Sequence, residues 1–418
     1  MYNFRLTGGT PLAGTIPVYG SKNATLPLMA ASLLTTEPVI LKNIPPILDS
    51  TRLLEILQAM GVTASQKGHT VHLQAKTITT NHVTHPNVGL LRGSVLLLGA
   101  LLGRERTVRL PRPGGDVIGA RPIDTHLDAF RQLGAVTTEE DGLIMIDGKK
   151  MKAGPVVLRE FSVTATENVM LVAATLPGKT TLYTAACEPH VVALAKLLKK
   201  MGAKITGAGT HTMTIQGSRS LKGATLTNIP DMLEAGFFIL LAAATHSEIT
   251  VQDVPIDDLL LFFKKLDDIG ILYDLDRTQH SVTVHKSELK AFKMQSLPHP
   301  GIPTDLQAPF SVVATQAVGS SLIHDPLYEG RLKHIVELQK MGASAIICDP
   351  HRVIITGPTP LYGNTIPSLD VRSGATLVLA GLVAQGETVI EQADLIERGF
   401  AQLPERLRAL GAQIEKVA

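Results

Sequence analysis

The chain has 418 residues, a formal net charge of +2, 44% hydrophobic residues and only 4% aromatic residues. This charge balance disfavours nucleic acid as a partner, and the scarcity of aromatic residues disfavours surfaces on which bases or sugars stack. Two cysteines argue against a disulfide framework and indicate a reducing, cytoplasmic compartment. The first residues lack a signal peptide's apolar core, and the longest apolar runs fall short of the roughly 20 residues that span a bilayer.

Six apolar stretches rich in Ala and Gly recur along the chain and predict helices. They cover residues 23–34, 93–102, 167–176, 234–244, 308–318 and 372–384. Because each stretch is apolar on nearly all sides, these helices are expected to be buried rather than amphipathic. A short turn and an apolar strand follow each one, as in 38–41, 180–183 and 387–390.

A second sequence pattern ends in glycine and repeats with the same period as the apolar stretches. The glycines are Gly61, Gly134, Gly202, Gly270, Gly342 and Gly411, spaced 68 to 73 residues apart. Each follows an amphipathic stretch at the point where a helix would end in a left-handed residue, a conformation that glycine adopts at little cost. A period this regular indicates one α/β unit used six times.

Six units of this length are better packed as two groups of three than as one solenoid. We therefore predict one three-unit domain over residues 22–229. Residues 1–21 and 230–418 are predicted to form the other three-unit domain.

The segment from Pro111 to Asp124 is predicted to be a loop, because prolines and the pair Gly114–Gly115 break helices and strands. Glycine lets the backbone approach a ligand closely, which makes Asp116 a candidate functional residue at a loop tip. Aspartate also commonly follows glycine as a simple turn former, so both interpretations of Asp116 stay open.

Charged residues near the starts of the repeated helices form the second group of candidates. Lys22 follows Ser21 just before the first helix, where backbone amides and an ammonium group suit an anion, although a serine cap with a solvated lysine is the alternative. Arg92 and Arg372 also lie at such junctions, and Arg121 and Arg398 lie in further loops. Guanidinium groups suit phosphates and carboxylates if several converge. Asp305 precedes the fifth helix as either a functional carboxylate or a helix cap.

Several common metal-binding and nucleotide-binding motifs are missing from the sequence. There is no His-Glu-x-x-His or Cys-x-x-Cys motif, no phosphate-binding loop with Gly-Lys-Ser/Thr and no dinucleotide-binding fingerprint. We therefore expect neither a metal nor a cofactor.

Four segments, at 20–24, 113–122, 303–309 and 397–400, closely resemble the UDP-N-acetylglucosamine enolpyruvyl transferases, as does Glu329–Arg331. The resemblance runs essentially from end to end. It implies an inside-out α/β barrel fold with two domains of three repeated units, whose buried helices point their N-termini at the interdomain cleft. It implies transfer of the enolpyruvyl group of phosphoenolpyruvate to the 3-hydroxyl of UDP-N-acetylglucosamine with release of phosphate, the first committed step of peptidoglycan synthesis. No protein partner is implied.

The resemblance also implies roles for individual residues. Catalytic roles fall on Lys22, Asp116, Asp305 and Arg398. Substrate-binding roles fall on Lys22, Asn23, Arg92, Arg121, Pro122, Ile123, Asp124, Thr125, Ser162, Val163, Asp305, Leu327, Arg331, Asp370, Arg372 and Arg398. Asp305 is the implied base for the sugar hydroxyl.

Asp116 occupies the position where most of the family carries a reactive cysteine, implied to protonate the methylene carbon of phosphoenolpyruvate. A carboxylic acid with a raised pKa can do the same work, but it does not readily form the thioether by which fosfomycin inactivates the cysteine enzymes. The sequence also departs from the common family pattern at Leu48, Glu160, Thr164 and Phe400.

Two alternatives to this function stay open. One is the sister activity on shikimate 3-phosphate, which shares the fold and the phosphoenolpyruvate chemistry. The other is a non-catalytic UDP-sugar-binding paralogue.

Overall fold

The computed structural model describes residues 2–115 and 118–418, in which helices alternate with short strands. The helices are α1 (Lys22–Ala31), α2 (Leu48–Ala59), α3 (Leu96–Glu105), α4 (Asp124–Gln132), α5 (Val163–Ala173), α6 (Pro189–Met201), α7 (Met232–Ala244), α8 (Leu260–Ile269), α9 (Gln307–Gln316), α10 (Lys333–Lys340), α11 (Val371–Val383) and α12 (Leu403–Ala409). No helix in the described ranges is both long and apolar enough to cross a membrane.

The strands are short, with three to six residues each. They are β1 (Asn3–Thr7), β2 (Ala13–Pro17), β3 (Val39–Lys42), β4 (Thr63–Lys67), β5 (Thr70–Gln74), β6 (Thr107–Pro111), β7 (Val136–Glu140), β8 (Leu143–Asp147), β9 (Pro155–Val157), β10 (Lys179–Tyr183), β11 (Lys204–Thr206), β12 (Thr212–Gln216), β13 (Ala224–Thr227), β14 (Glu248–Gln252), β15 (Tyr273–Asp276), β16 (Ser281–Val284), β17 (Lys293–Gln295), β18 (Gly319–His324), β19 (Ser344–Asp349), β20 (Arg352–Gly357), β21 (Thr365–Pro367), β22 (Glu387–Glu391) and β23 (Gln413–Val417).

The six helices predicted to be buried are α1, α3, α5, α7, α9 and α11. Each is buried along most of its length. Their boundaries differ from the prediction by a few residues, and in α1, α5, α7 and α11 a polar cap rather than the apolar run marks the beginning. Helix α7, for example, begins after Asp231, whose carboxylate accepts hydrogen bonds from the amides of Leu233 (2.8 Å) and Glu234 (3.3 Å).

The amphipathic helices end as the periodic glycines predict. All six glycines have positive φ: Gly61 91°, Gly134 98°, Gly202 116°, Gly270 84°, Gly342 104° and Gly411 98°. Each lies one or two residues beyond the end of an even-numbered helix, where a left-handed residue closes the last turn. The predicted six-fold use of one α/β unit is confirmed.

The sheets repeat one strand pattern. Five four-stranded sheets each contain a parallel edge strand, a strand that follows a buried helix, and two antiparallel strands. These sheets are β13-β3-β5-β4, β9-β10-β12-β11, β2-β14-β16-β15, β17-β18-β20-β19 and β21-β22-β1-β23. The sheet β6-β8-β7 has three strands, and a single parallel bridge from His82 to Arg109 stands in the place of the fourth.

The chain divides into two compact units, each with three of these sheets and six helices. The first unit comprises the described residues 20–115 and 121–229, and the second comprises 2–19, 118–120 and 230–418. In the first unit the last strand, β13, pairs in parallel with β3, so that Ala224 lies opposite Val39 and the end of the unit joins its beginning. In the second unit the first strand, β1, joins the end of the chain by lying between β22 and β23, antiparallel to both.

Each unit has its own apolar core, built around its three buried helices. In the first unit, α3 and α5 approach so closely that a side chain on Gly99 would collide with Asn168, whose Cα would be 2.8 Å from the added Cβ. The Asn168 carboxamide oxygen instead accepts a hydrogen bond from the Gly99 amide at 2.6 Å. Helices α3 and α5, near whose starts Arg92, Ser162 and Val163 lie, are therefore in close contact.

Candidate active site

In the second unit, a carboxylate is joined to two arginines that are distant in sequence. Arg372 Nε donates to Asp305 Oδ2 at 3.0 Å, and Arg331 donates to Asp305 Oδ1. The side chains of Asp305, Arg331 and Arg372 are 19%, 10% and 8% exposed. Charge-assisted hydrogen bonds of this kind are stronger than neutral ones and fix the orientation of the planar groups.

Local structure explains how Asp305 comes to face the arginines. It lies in a 3₁₀ turn, Thr304–Leu306, that precedes α9, and α9 itself has no side-chain cap. The helix-cap interpretation of Asp305 is therefore wrong, because its carboxylate bonds to guanidinium groups of other segments.

Arg372 is held in place by the cap of its own helix. Asp370 caps α11 and accepts hydrogen bonds from the amides of Arg372 (2.8 Å) and Ser373 (3.0 Å). The Arg372 guanidinium also lies over the ring of Phe400, 5.3 Å from its centroid, which is a cation–π arrangement. Asp370 and Phe400 thus orient an arginine that Asp305 neutralises.

Two buried donors in this cluster have no acceptor. Arg331 Nε and Arg372 Nη2 make no hydrogen bond to any residue that the structure describes. Burial lowers the pKa of Arg331, but the charges of Asp305 and Asp370 more than offset this and raise it above its usual value. A buried, charged donor without a partner is costly, so these two N–H groups suit an anionic ligand.

The remaining candidates in the second unit lie in the segments around this cluster. Arg398 ends a 3₁₀ segment, Ala393–Arg398, and is buried. Leu327 is 40% exposed, and its amide donates to Asp325 at 3.0 Å. Residues 118–120 also belong to this unit, where the Ile118 carbonyl accepts a hydrogen bond from the Gly330 amide at 3.0 Å.

In the first unit, Lys22 is the first residue of α1. Ser21 caps this helix by accepting a hydrogen bond from the Ala24 amide at 3.3 Å. Lys22 is not a solvated side chain, because its Nζ lies 3.1 Å from the carboxylate of Asp49, which is 1% exposed. Asp49 also lies 3.9 Å from Arg52. The candidate Asn23 follows Lys22 on α1.

A second polar cluster in the first unit joins the starts of α4 and α5. Arg92 donates to the carbonyl of Pro122 at 3.3 Å, and the Thr125 hydroxyl donates to Glu160 at 3.1 Å. Ser162 caps α5 by accepting from the Ala165 amide at 3.4 Å. The remaining candidates of this region flank these contacts: Arg121, Ile123, Asp124 and Val163.

His126 belongs to this cluster, although the sequence did not single it out. Its Nε2 is 2.8 Å from the Thr164 hydroxyl, and burial together with the nearby charge of Arg92 lowers its pKa to about 3. The imidazole therefore stays neutral at physiological pH. Its position next to Thr125, on the buried face of an amphipathic helix, was the available signal.

The remaining residues that bear on function are Asp116, the two cysteines and possible metal ligands. Asp116 lies outside the described residues, so its role stays a prediction. Cys187 is buried, and its Sγ is 3.1 Å from His211 Nδ1, whereas Cys348 is exposed. Among the described residues no group of three or more His, Cys, Asp or Glu side chains is arranged to hold a metal ion.

The chain is similar to proteins of known family over its whole length. Residues 6–407 match the family model of EPSP synthase (3-phosphoshikimate 1-carboxyvinyltransferase). A UDP-N-acetylglucosamine 1-carboxyvinyltransferase of Koribacter versatilis is 40% identical, with 100% of this chain and 97% of that protein covered. One from Treponema denticola is 39% identical, with 99% of each covered.

Among solved structures, the enolpyruvyl transferase NikO from Streptomyces tendae matches with a TM-score of 0.90 and 26% identity, covering 100% of this chain and 99% of NikO. The fold expected from the resemblance is thus confirmed. The chain belongs to the enolpyruvyl transferase family, and within it to the family of the UDP-N-acetylglucosamine 1-carboxyvinyltransferases.

Proposed function

We propose that this protein transfers the enolpyruvyl group of phosphoenolpyruvate to the 3-hydroxyl of UDP-N-acetylglucosamine and releases phosphate, the first committed step of peptidoglycan synthesis. The observation that carries the proposal is the pair of buried, unpartnered arginine donors beside Asp305. In this cluster Asp305 provides a proton acceptor, and the two arginines provide groups that bind an anion. Transfer from a phosphorylated donor to a hydroxyl requires both.

The reaction is an addition followed by an elimination. In the addition, the sugar oxygen bonds to C2 of phosphoenolpyruvate, Asp305 takes the hydroxyl proton, and Asp116 gives a proton to the C3 methylene, which becomes a methyl group. In the elimination, Asp116 takes back one methyl proton, the carbon–carbon double bond forms again, and phosphate leaves the tetrahedral ketal with the proton that Asp305 took from the hydroxyl. Atoms and charge balance without a cofactor or a metal.

Several cationic side chains are assigned to the anionic substrates. Lys22, Arg121 and Arg398 are proposed to hold phosphoenolpyruvate, and Arg372 to hold either phosphate or the loop that carries Asp116. Two further properties support a role for Lys22: it stands at a helix N-terminus, where the backbone favours anions, and the buried Asp49 restricts its direction.

The nucleotide is assigned to the polar cluster at the starts of α4 and α5. Arg92, the 121–125 segment, Ser162 and Val163 are proposed to contact UDP, with Asn23 near both substrates. The amides at the start of α5 suit phosphate oxygens. The carboxylate of Glu160 accepts a hydrogen bond from Thr125 and therefore lies in the cluster that would bind the nucleotide. Its negative charge is expected to weaken the binding of the anionic nucleotide.

We also propose that the protein acts in the cytoplasm. Its two cysteines are both unpaired in the structure, which fits a reducing compartment, and both proposed substrates are small phosphorylated metabolites.

Phosphate release in the presence of different acceptors tests the proposal. The protein is incubated with phosphoenolpyruvate and either UDP-N-acetylglucosamine, shikimate 3-phosphate or no acceptor. We expect release only with UDP-N-acetylglucosamine. Release only with shikimate 3-phosphate would replace the proposed activity with that of the sister enzyme. If UDP-N-acetylglucosamine binds but no acceptor supports release, the chain is a binding paralogue.

A further inference from the structure

The carboxylate of Asp325 lies next to the candidate active site of the second unit and is completely buried. It follows β18. Its Oδ2 accepts a hydrogen bond from the Thr304 hydroxyl, and its Oδ1 accepts one from the Leu327 amide at 3.0 Å. The backbone of the same residue is fixed by His351, whose Nδ1 donates to the Asp325 carbonyl at 2.7 Å. Three segments of the chain therefore meet at one buried acidic residue.

Two of these segments carry proposed active-site residues. Thr304 directly precedes Asp305 in the 3₁₀ turn before α9, and the segment after Asp325 carries Leu327 and Arg331. Arg331 in turn bonds to Asp305. Asp325 thus joins, through one side chain, the segment of the proposed base and the segment of the arginine that orients it.

We propose that Asp325 is a positioning residue for the enolpyruvyl transfer. Through the Thr304 hydroxyl it fixes the turn from which Asp305 projects, and through the Leu327 amide it fixes the segment that contacts substrate. This inference rests on the proposed function of the same cluster.

The chemistry of the side chain supports this role. A carboxylate is costly to bury, and a turn of this kind can form with a neutral cap at lower cost. Asp325 accepts both hydrogen bonds, whereas an alanine at this position would accept neither and would leave the Leu327 amide and the Thr304 hydroxyl without this partner. The negative charge also acts on Arg331, whose pKa it helps to raise. A displacement of about 1 Å at a reacting group can cost on the order of 100-fold in rate, so a single fixed contact to the turn has a kinetic consequence.

Two variants of Thr304 separate positioning from simple stability. Thr304→Val removes the hydroxyl and keeps the shape, whereas Thr304→Ser keeps the hydroxyl. We expect kcat for phosphate release to fall roughly 10- to 100-fold in Thr304→Val, with KM for UDP-N-acetylglucosamine changed by less than about threefold, and kcat to be nearly unchanged in Thr304→Ser. Asp325→Ala removes both hydrogen bonds and is expected to lower kcat in the same way, and the double variant with Thr304→Val to lose little more than Asp325→Ala alone.

A structural role without positioning predicts another result. In that case the variants lose thermal stability but keep kcat within about threefold of the wild type, and this outcome would overturn the inference. If Asp325→Ala does not fold, the comparison of Thr304→Val with Thr304→Ser still tests the inference.

Failure of the proposed function gives a distinct result, because the wild-type protein then releases no phosphate with UDP-N-acetylglucosamine. Positioning is tested in that case by backbone amide exchange of residues 304–306 without substrate. Faster exchange in Thr304→Val than in Thr304→Ser supports the tie to Asp325, and equal exchange in the two variants contradicts it.

Discussion

Replacing Asp305 with asparagine changes the charge of the candidate active site and leaves its shape nearly intact. The carboxylate is bonded to Arg331 and Arg372, and all three side chains are less than one-fifth exposed. Asparagine can accept from one arginine, but its amide group then faces the donors of the other. Removing one partner of a buried ion pair typically costs about 3–5 kcal/mol, and because Asp305 is partly exposed we expect a loss of about 3 kcal/mol in the free energy of unfolding.

The same substitution is expected to separate turnover from binding. Loss of a general base lowers kcat by a factor of about 10² to 10⁴, whereas nucleotide affinity should change less than about fivefold because the base acts only as the hydroxyl proton leaves. Inorganic phosphate should bind more tightly to Asp305→Asn than to the wild type, since both arginines lose the charge that neutralises them. Urea unfolding, phosphate release and titration with phosphate measure the three quantities.

A matched control makes the same chemical change on an exposed ion pair. Asp257 lies 2.7 Å from Arg277 in the second unit, and both side chains are mostly exposed. Asp257→Asn should change stability by less than about 1 kcal/mol and leave turnover unchanged. If Asp305→Asn retains wild-type kcat while its fold is intact, Asp305 is not the base and the proton must leave by another route.

Three further predictions follow from other residues. Asp116→Asn should be inactive, and Asp116→Cys should be active but sensitive to fosfomycin. The wild-type protein should resist fosfomycin, so a covalent fosfomycin adduct on the wild-type chain, detected by mass spectrometry, would refute this prediction. Burial lowers the pKa of His126 to about 3 and of His334 to about 4, so the stability that each contributes is present above pH 6.5 and is lost as pH falls to the lowered pKa, by about 3–5 kcal/mol per histidine. Acid unfolding that is unchanged in His334→Gln would contradict this prediction. Glu234 is buried beside Arg406, and mainly burial raises its pKa to about 7. The free energy of unfolding should therefore fall as pH rises from about 4.5 to 7, because the carboxyl group loses its proton in the folded protein only at the higher pH. At pH 8, Arg406→Met should lower the free energy of unfolding by about 3–5 kcal/mol, and the double variant with Glu234→Gln should lower it by less.

The repeated architecture was predictable from sequence because it depends on local rules. Only glycine readily adopts the left-handed conformation that ends a helix, so Gly202, with φ of 116°, marks a helix end that can be predicted from the residue type. Helix α7 likewise follows from a run of apolar residues. The boundaries were less predictable, since caps such as Asp231 depend on side-chain hydrogen bonds as well as on hydrophobicity.

The candidate site was predictable only in part, because its contacts join residues far apart in the chain. Asp305 and Arg372 are 67 positions apart, and no periodicity indicates that they bond. The motifs indicated candidate residues, but not that Asp305 faces two arginines instead of capping α9. Asp49 and His126 were missed since each lies on the buried face of a helix, where a polar residue has no sequence signature beyond its type.

The identity of the product tests the proposed function most directly. Wild-type protein, phosphoenolpyruvate and UDP-N-acetylglucosamine are combined, and the nucleotide is analysed by mass spectrometry and NMR. The proposal predicts that UDP-N-acetylglucosamine gains the mass of one enolpyruvyl group, that the ether bond is on the 3-oxygen of the sugar, and that one phosphate is released per product. Recovery of unchanged nucleotide from a folded protein that binds both substrates would contradict it.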